Sequence, residues 1–419
     1  MNQELQQLGK QAKAATRQLM KLASDQKNQA LKFIAETIME REPNILAAND
    51  RDLEAGEKMG LSESLLDRLK LSPQRLEGIA NDVLKVAQLP DPVGEEFESR
   101  VLGNGLRISK RRIPIGVIGV IYESRPNVTV DIAALSLKSG NAAILRGGKE
   151  ALHTNRAFAK AVMDGCVQAG LPEHTMQLIQ STDRSLVKEM LQANQYIDMI
   201  IPRGGPALQK FAIDNATMPV ITGGVGICHI YVDAKADPDK VSPIVVNAKV
   251  QRPSVCNAMD TLLVHQSVAK FILPQVARAL AEYQVELRCE PRAYKILRGF
   301  PDAIEAGVDD FDTEFLSLKA AVKVVDNLDE TLDHIYEHST KHSEAIITED
   351  YSAAMRFVNE LDSSAVFVNA STRFNDGGQF GMGAEVAIST QRLHARGPMG
   401  LYELTTYKWV VLGNGQIRI

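Results

Sequence analysis

At 419 residues, with 45% apolar and 24% charged side chains, the chain is long enough for two or three domains and more than one sizeable core. A net charge of −5 without a strongly basic block argues against nucleic acid or an anionic membrane surface as the main partner. The longest apolar stretch, residues 116–122, is far too short to span a bilayer, and the polar, helically periodic start does not read as a signal peptide.

Residues 5–89 read as helix throughout. Leu5, Leu8, Ala12, Ala15, Leu19 and Leu22 recur at the i, i+3, i+4 spacing of one buried face. Ser24 and Asp25 mark the cap of a second helix that continues through Leu31, Ile34, Ala35 and Ile38. Ser72 followed by Pro73 marks another helix start, and Pro90-Asp91-Pro92 ends the region. An internal echo follows: Val101-Leu-Gly-Asn-Gly-Leu-Arg-Ile108 returns at the C-terminus as Val411-Leu-Gly-Asn-Gly-Gln-Ile-Arg-Ile419. Asn-Gly between β-formers signals a hairpin, because both turn residues need positive φ. Two such hairpins either pair with another element or subunit, or are no more than surface loops.

From residue 113 strands alternate with helices: strands over 116–122, 141–146, 176–179 and 197–201, and helices over 128–138, 151–165 and 185–193. That alternation predicts a doubly wound parallel sheet, with ligands at the carboxyl ends of its strands, here residues 122–127, 146–149 and 202–205. Neither GxGxxG after the first strand nor GxxxxGK[ST] anywhere is present. A second α/β unit runs through strands at 229–232, 261–264, 321–325, 345–348 and 365–369, and the tail 374–399 is glycine-rich.

Cys256 stands in KVQRPSVCNAMD, residues 249–260, after the glycine pair Gly223-Gly224 and before an apolar strand over 261–265. A strand end there would present a thiol, which attacks carbonyl carbon well once ionised; the alternative is a small buried apolar residue. Cys166, Cys228 and Cys289 read as core. Four cysteines without a CxxC pair fit a reducing cytosol better than a disulfide framework or a zinc site. His334, His338 and His342 fall at i, i+4, i+8, a spacing for a metal on one helix face or for a surface helix ending near Ser339. No carboxylate or cysteine completes a ligand set, so no metal is assigned.

The runs IPIGVIGVIYESRPN, NAAILRGGKEA, IPRGG and ITGGVGICHIYVD, with Cys256 lying 32 positions beyond Gly224, keep an order that resembles the aldehyde dehydrogenase superfamily over nearly all of the chain after residue 113. The wording YESRPNVT, QRPSVCNAMDTLLVH and RLHARGPMGL is similar to one branch of it, which reduces an acyl phosphate, L-glutamyl 5-phosphate, to glutamate 5-semialdehyde in proline biosynthesis. The resemblance implies an α/β, aldehyde dehydrogenase-like fold: two doubly wound Rossmann-type domains plus a small β-hairpin oligomerisation arm. Residues 1–99 and 113–225, with part of 375–400, would bind the cofactor. Residues 226–374 would carry the nucleophile, and 100–112 with 401–419 would form the arm.

Carried onto this sequence, the resemblance makes Cys256 the nucleophile, with its own N–H or Asn127 holding the oxyanion. Where oxidising members place a water-activating glutamate before the glycine pair, this chain has Ile221-Thr222, which suits a thioester kept for hydride. Arg146 and Lys149 fall where a cofactor's ribose is gripped. Two cations there favour a 2′-phosphate, hence NADPH. Gly204, Gly205, Gly223, Gly224 and Glu314 complete the implied cofactor site, although the interval from Cys256 to Glu314 is shorter than in oxidising members. Arg125 and Arg252 are phosphate-binding or ion-pair residues. The resemblance further implies a cytoplasmic homo-oligomer, without nucleic-acid or membrane partners, that could associate with the glutamate 5-kinase making its substrate. The rival activity is a coenzyme A-dependent acylating dehydrogenase, which also needs a thiol and no hydrolytic base.

Overall fold

The computed structural model describes residues 2–418, which fall into two units: one of residues 2–222, 381–387 and 399–418, the other of 223–380 and 388–398. The first unit begins with five helices: α1 (Gln3–Leu19), α2 (Ser24–Glu40), α3 (Glu42–Lys58), α4 (Glu63–Leu69) and α5 (Pro73–Gln88). In α1 the apolar stripe Leu5, Ala12, Ala15 and Leu19 is buried as its period requires. At α5 the Ser72 side chain accepts the Arg75 N–H at 3.2 Å and Pro73 opens the helix, as expected. At α2 the expectation fails by one residue. Ala23 is the cap, its N–H satisfied by the Gln26 side chain at 2.9 Å. The Ser24 hydroxyl instead donates to Asp91, which is also paired with the buried Lys27 ammonium at 2.8 Å.

After these helices come β1 (Glu96–Val101), β2 (Arg107–Pro114) and the alternating section: β3 (Val117–Tyr122), α6 (Asn127–Lys138), β4 (Ala142–Gly147), α7 (Leu152–Gln168), β5 (Met176–Leu178), α8 (Ser185–Leu191), β6 (Met199–Arg203) and α9 (Pro206–Asn215). Strands β3 to β6 form a parallel sheet in the order β5-β4-β3-β6, so the ends of β3, β4 and β6 lie side by side. Helix α7 crosses α2 at Gly165, where a Cβ would stand 2.7 Å from the Ile34 Cα; only glycine allows backbones this close.

Strands β1 and β2 pair antiparallel around the turn at Asn104-Gly105, where Gly105 takes φ +87°. The second Asn-Gly behaves differently from the expected hairpin. The C-terminal strand Thr405–Leu412 pairs with β2 along its whole length, from Thr405 opposite Pro114 to Leu412 opposite Arg107. Among the described residues no strand returns after Gly415. The free edge of β2 satisfies the backbone that a hairpin would have paired locally, and Gln416 donates from Nε2 to the Asn104 carbonyl at 3.1 Å, joining the two turns.

The second unit contains β7 (Cys228–Val232), α10 (Pro238–Val250), β8 (Met259–His265), α11 (Gln266–Ala281), β9 (Glu286–Cys289), α12 (Pro291–Leu297), β10 (Ala303–Glu305), β11 (Lys319–Val325), α13 (Leu328–His338), β12 (Ser343–Ile347), α14 (Tyr351–Glu360) and β13 (Ala365–Val368). Its main sheet has seven strands, all parallel, in the order β10-β9-β11-β8-β7-β12-β13. Alternate residues of one strand enter different cores. Ile230, Leu262 and Val322 pack with α10, α11 and α12, whereas Tyr231, Leu263 and Ile346 pack with Leu332 and Ile335 of α13 and Phe357 of α14. Helices therefore cover both faces, the doubly wound arrangement expected.

Candidate active site

Cys256 does not stand at a strand end. It lies in the loop between α10 and β8, before the first residue of β8, and is half-buried, while Cys166, Cys228 and Cys289 are buried. The strand expected to lead into it is separated from it by α10, whose interior Pro243 and weak amphipathic pattern hid the helix in the sequence. What fixes this loop is a set of close contacts to its backbone. Gly226 approaches so tightly that a Cβ there would fall 1.7 Å from the Cys256 carbonyl oxygen. From the start of β7, the Cys228 thiol donates to that same oxygen at 3.1 Å. Burial, with the Glu344 and Asp260 carboxylates nearby, raises the Cys228 pKa well above the ordinary thiol value, so Cys228 stays protonated and able to donate.

On the same side, the Gly226 N–H donates to Glu314 Oε1 at 3.0 Å, which places Glu314 one residue contact from the Cys256 peptide. The two ends of the Cys256 segment are tied by a buried ion pair, Lys249 Nζ to Asp260 Oδ1 at 3.3 Å. Burial drives the lysine pKa down and the aspartate pKa up, and their mutual charge opposes both shifts. Asp260 Oδ1 also accepts the Phe315 N–H at 3.2 Å, so one carboxylate positions both the cysteine segment and the residue after Glu314. Asn257, next to the cysteine, is held by Thr372 Oγ1, which donates to its carbonyl at 2.7 Å, and donates itself from Nδ2 to the Asn375 carbonyl at 3.0 Å.

Of the glycine pair, Gly223 bridges to Ser389, and the Gly224 N–H donates to the Ile388 carbonyl at 3.1 Å. A Cβ on Gly224 would meet Thr390 Cγ2 at 2.4 Å. Arg252 is exposed on the cysteine loop. Of the three histidines, His334 and His338 share a helix face with ring centroids 4.4 Å apart, but His342 does not join them. Helix α13 ends at His338, as one of the two readings had it; His334 Nδ1 lies 3.2 Å from Lys323 Nζ, and His338 Nδ1 lies 2.8 Å from Asp312. His342 is past the helix, buried with Nδ1 2.8 Å from Ser343 Oγ and 3.8 Å from the Cys228 thiol.

In the first unit the remaining predicted residues gather at the carboxyl edge of the sheet. Arg146 ends β4 largely buried, donating from Nη1 to the Gly147 carbonyl and from Nη2 to the Thr182 carbonyl, both at 3.2 Å, while its buried Nε has no hydrogen-bond partner. Burial lowers its pKa, partly offset by Glu150. Lys149 is exposed just beyond. Gly204 and Gly205 precede α9, and the Gly205 N–H donates to Glu123 Oε2 at 3.2 Å, a carboxylate at a helix N-terminus. Glu150 accepts from the Ser124 N–H at 2.7 Å and from its hydroxyl at 3.0 Å, pinning the loop that carries Arg125. Asn127 opens α6 and donates from Nδ2 to Asp131 Oδ2 at 2.8 Å.

Sequence reasoning missed Gly226, Asn257, Glu123 and Glu150. Gly226 was legible as the third glycine of GGVG; the others became visible only through their partners.

A model of the aldehyde dehydrogenase family matches residues 2–293. The gamma-glutamyl phosphate reductase of Roseiflexus castenholzii is 56% identical over 99% of both chains, and that of Aeromonas salmonicida 54% over 98% of both. The crystal structure of gamma-glutamyl phosphate reductase from Thermotoga maritima is 50% identical and superposes with a TM-score of 0.96, covering 99% of this chain and 100% of that one. The chain belongs to the aldehyde dehydrogenase family, in the branch formed by these reductases, and is an oxidoreductase.

Burial lowers the His342 pKa to about 4, against an unfolded value near 6.5. As pH falls, the unfolded chain therefore takes up this proton first. Stability from the site is complete above about 6.5 and is lost toward about 4. His334, lowered to about 2 mainly by burial, adds to the same trend. Urea unfolding across this range should show a falling free energy, with a shallower fall in His342→Asn; an equal slope in the variant would contradict the assignment.

Proposed function

We propose that this chain reduces L-glutamyl 5-phosphate to L-glutamate 5-semialdehyde, releasing phosphate, the second step of proline biosynthesis from glutamate. The observation that carries this is Cys256 itself. It is the half-buried cysteine of a chain 50–56% identical, end to end, to gamma-glutamyl phosphate reductases, on a loop whose backbone is locked by Gly226 and Cys228. The Cys256 thiolate attacks the γ-carbonyl carbon, the Cys256 N–H holds the oxyanion, and the carbon–oxygen bond to phosphate breaks, leaving a thioester. Asn127 aids the oxyanion only by exchanging its bond to Asp131. Ile221-Thr222 offers no carboxylate to activate water, so the thioester is spared hydrolysis. Arg125 and Arg252 are the cations assigned to the phosphate.

The reductant we assign is NADPH, which supplies hydride when bound. Lys149 is an exposed cation at the end of β4, and the buried Arg146, with one N–H unspent, lies below it. The Gly205 amide already accommodates one anionic oxygen, from Glu123, and a phosphate oxygen would take its place. Glu314 is held ready by Gly226 for a ribose hydroxyl. Gly204, Gly223 and Gly224 are the remaining backbone positions assigned to the cofactor, with Glu123 packed against Gly204 and Thr390 against Gly224. The three-stranded antiparallel sheet, with Tyr407, Trp409 and Val411 each roughly half-exposed on the C-terminal strand, is the surface assigned to self-association.

Cys256→Ala should lower turnover by at least about a thousandfold. In the reverse direction, NADP reduction by glutamate semialdehyde should require inorganic phosphate; a requirement for coenzyme A instead would replace this reading with the acylating one. Thermal stabilisation by NADPH should exceed that by NADH, and Lys149→Ala should erase about tenfold of the preference; equal stabilisation by the two would count against the cation argument. Trp409→Glu combined with Val411→Glu should give a smaller species in sedimentation velocity, and an unchanged species would remove the arm's assigned role.

A further inference from the structure

Arg373, in the short turn Thr372–Phe374 after β13, has no part in the chemistry above, yet its guanidinium grips the cysteine loop at two places. Nε donates to Gln251 Oε1 at 2.8 Å, five residues before Cys256, and Nη1 donates to Asn257 Oδ1, one residue after it. The Arg373 carbonyl in turn accepts from Asn257 Nδ2 at 3.4 Å, and the Arg373 N–H is held by Ser371 Oγ at 3.3 Å. A planar guanidinium can make such a fork where a lysine cannot. We propose that Arg373 is a positioning residue that closes the 251–257 loop into a ring and, by holding its fixed positive charge against that ring, keeps Cys256 ionised for attack. The proposal rests on Cys256 being the nucleophile.

Other charges lie on or around the same loop. Arg252 lies on the loop itself, Lys249 and Asp260 bracket it, Glu314 lies across Gly226, and the Cys228 thiol lies beneath, near Glu344 and His342. Lys249 is already neutralised by Asp260, and Arg252 is exposed and solvent-screened, so the half-buried Arg373 is the cation with the most leverage. Burial lowers the Arg373 pKa, offset by Asp376, but a guanidinium remains charged.

The test is the pH dependence of iodoacetamide alkylation at Cys256, located by peptide mass, together with kcat and the KM for NADPH. The other three cysteines are buried and serve as the internal control. Arg373→Gln should raise the alkylation midpoint by about one pH unit or more and lower kcat at least about tenfold, leaving the KM for NADPH unchanged. Arg373→Lys, which keeps the charge and loses the fork, should restore most of the midpoint and only part of kcat. Gln251→Ala, at an exposed position and removing one anchor, should raise the midpoint less, and it carries the test should Arg373→Gln fail to fold. An unmoved midpoint in Arg373→Gln, or in Gln251→Ala where the former does not fold, overturns the proposal. Full activity in Cys256→Ala would instead defeat the underlying reading, so the two failures are separable.

Discussion

The second unit depends on one close approach, the backbone of Gly226 against the Cys256 peptide. With a Cβ position only 1.7 Å from the Cys256 oxygen, any other residue would push the loop away, because a packed interior gives by tenths of an ångström and not by the distance a methyl group needs. From that contact follow the Cys228 hydrogen bond to the Cys256 carbonyl and the placement of Glu314 on the Gly226 amide. The Cys256 peptide, the thiol beneath it and a carboxylate are thus assembled by a residue with no functional group of its own.

The rest of the loop is held by groups that are costly to bury. Lys249 and Asp260 are both nearly inaccessible, and burial alone would push each toward its neutral form. Burying such a pair adds little net stability compared with apolar residues of the same size, whereas breaking it strands a charge. Its geometric effect is specific, since Asp260 also takes the Phe315 N–H and so ties the cysteine segment to the Glu314 segment. Asn257 adds a second tie, to the turn after β13. An attacking sulfur gains from such restraint, because the reacting atoms must meet in a narrow geometry.

Much of this was legible in the sequence, for definite reasons. The strands β3, β4, β6, β7, β8, β11 and β12 are fully or mostly buried and read as apolar runs, and Ser72-Pro73 announced α5. Strands β9 and β10 were not legible: ELRC and AIE are short and mixed, and their pairing is supplied by neighbours distant in the chain. Helix α10 is hidden by its internal proline, and Ser24 reads as a cap because its true partner, Asp91, is far away in sequence. The second Asn-Gly turn gave its local signal correctly, but β2 offered a better partner for the strand before it. Cys256 could be singled out by its surroundings in the chain. The residues that grip it could not, because Gly226, Arg373 and Asn257 act through contacts that span from 30 to more than 100 positions.

What the whole reading requires is an acyl group carried on one sulfur atom. Incubating the protein with L-glutamyl 5-phosphate in the absence of reductant, quenching in acid and sequencing the modified peptide by mass would observe it directly. The expected result is a glutamyl adduct on Cys256 that disappears when NADPH is added before the quench. An adduct on another residue, or none at all from protein that turns over normally, would contradict it.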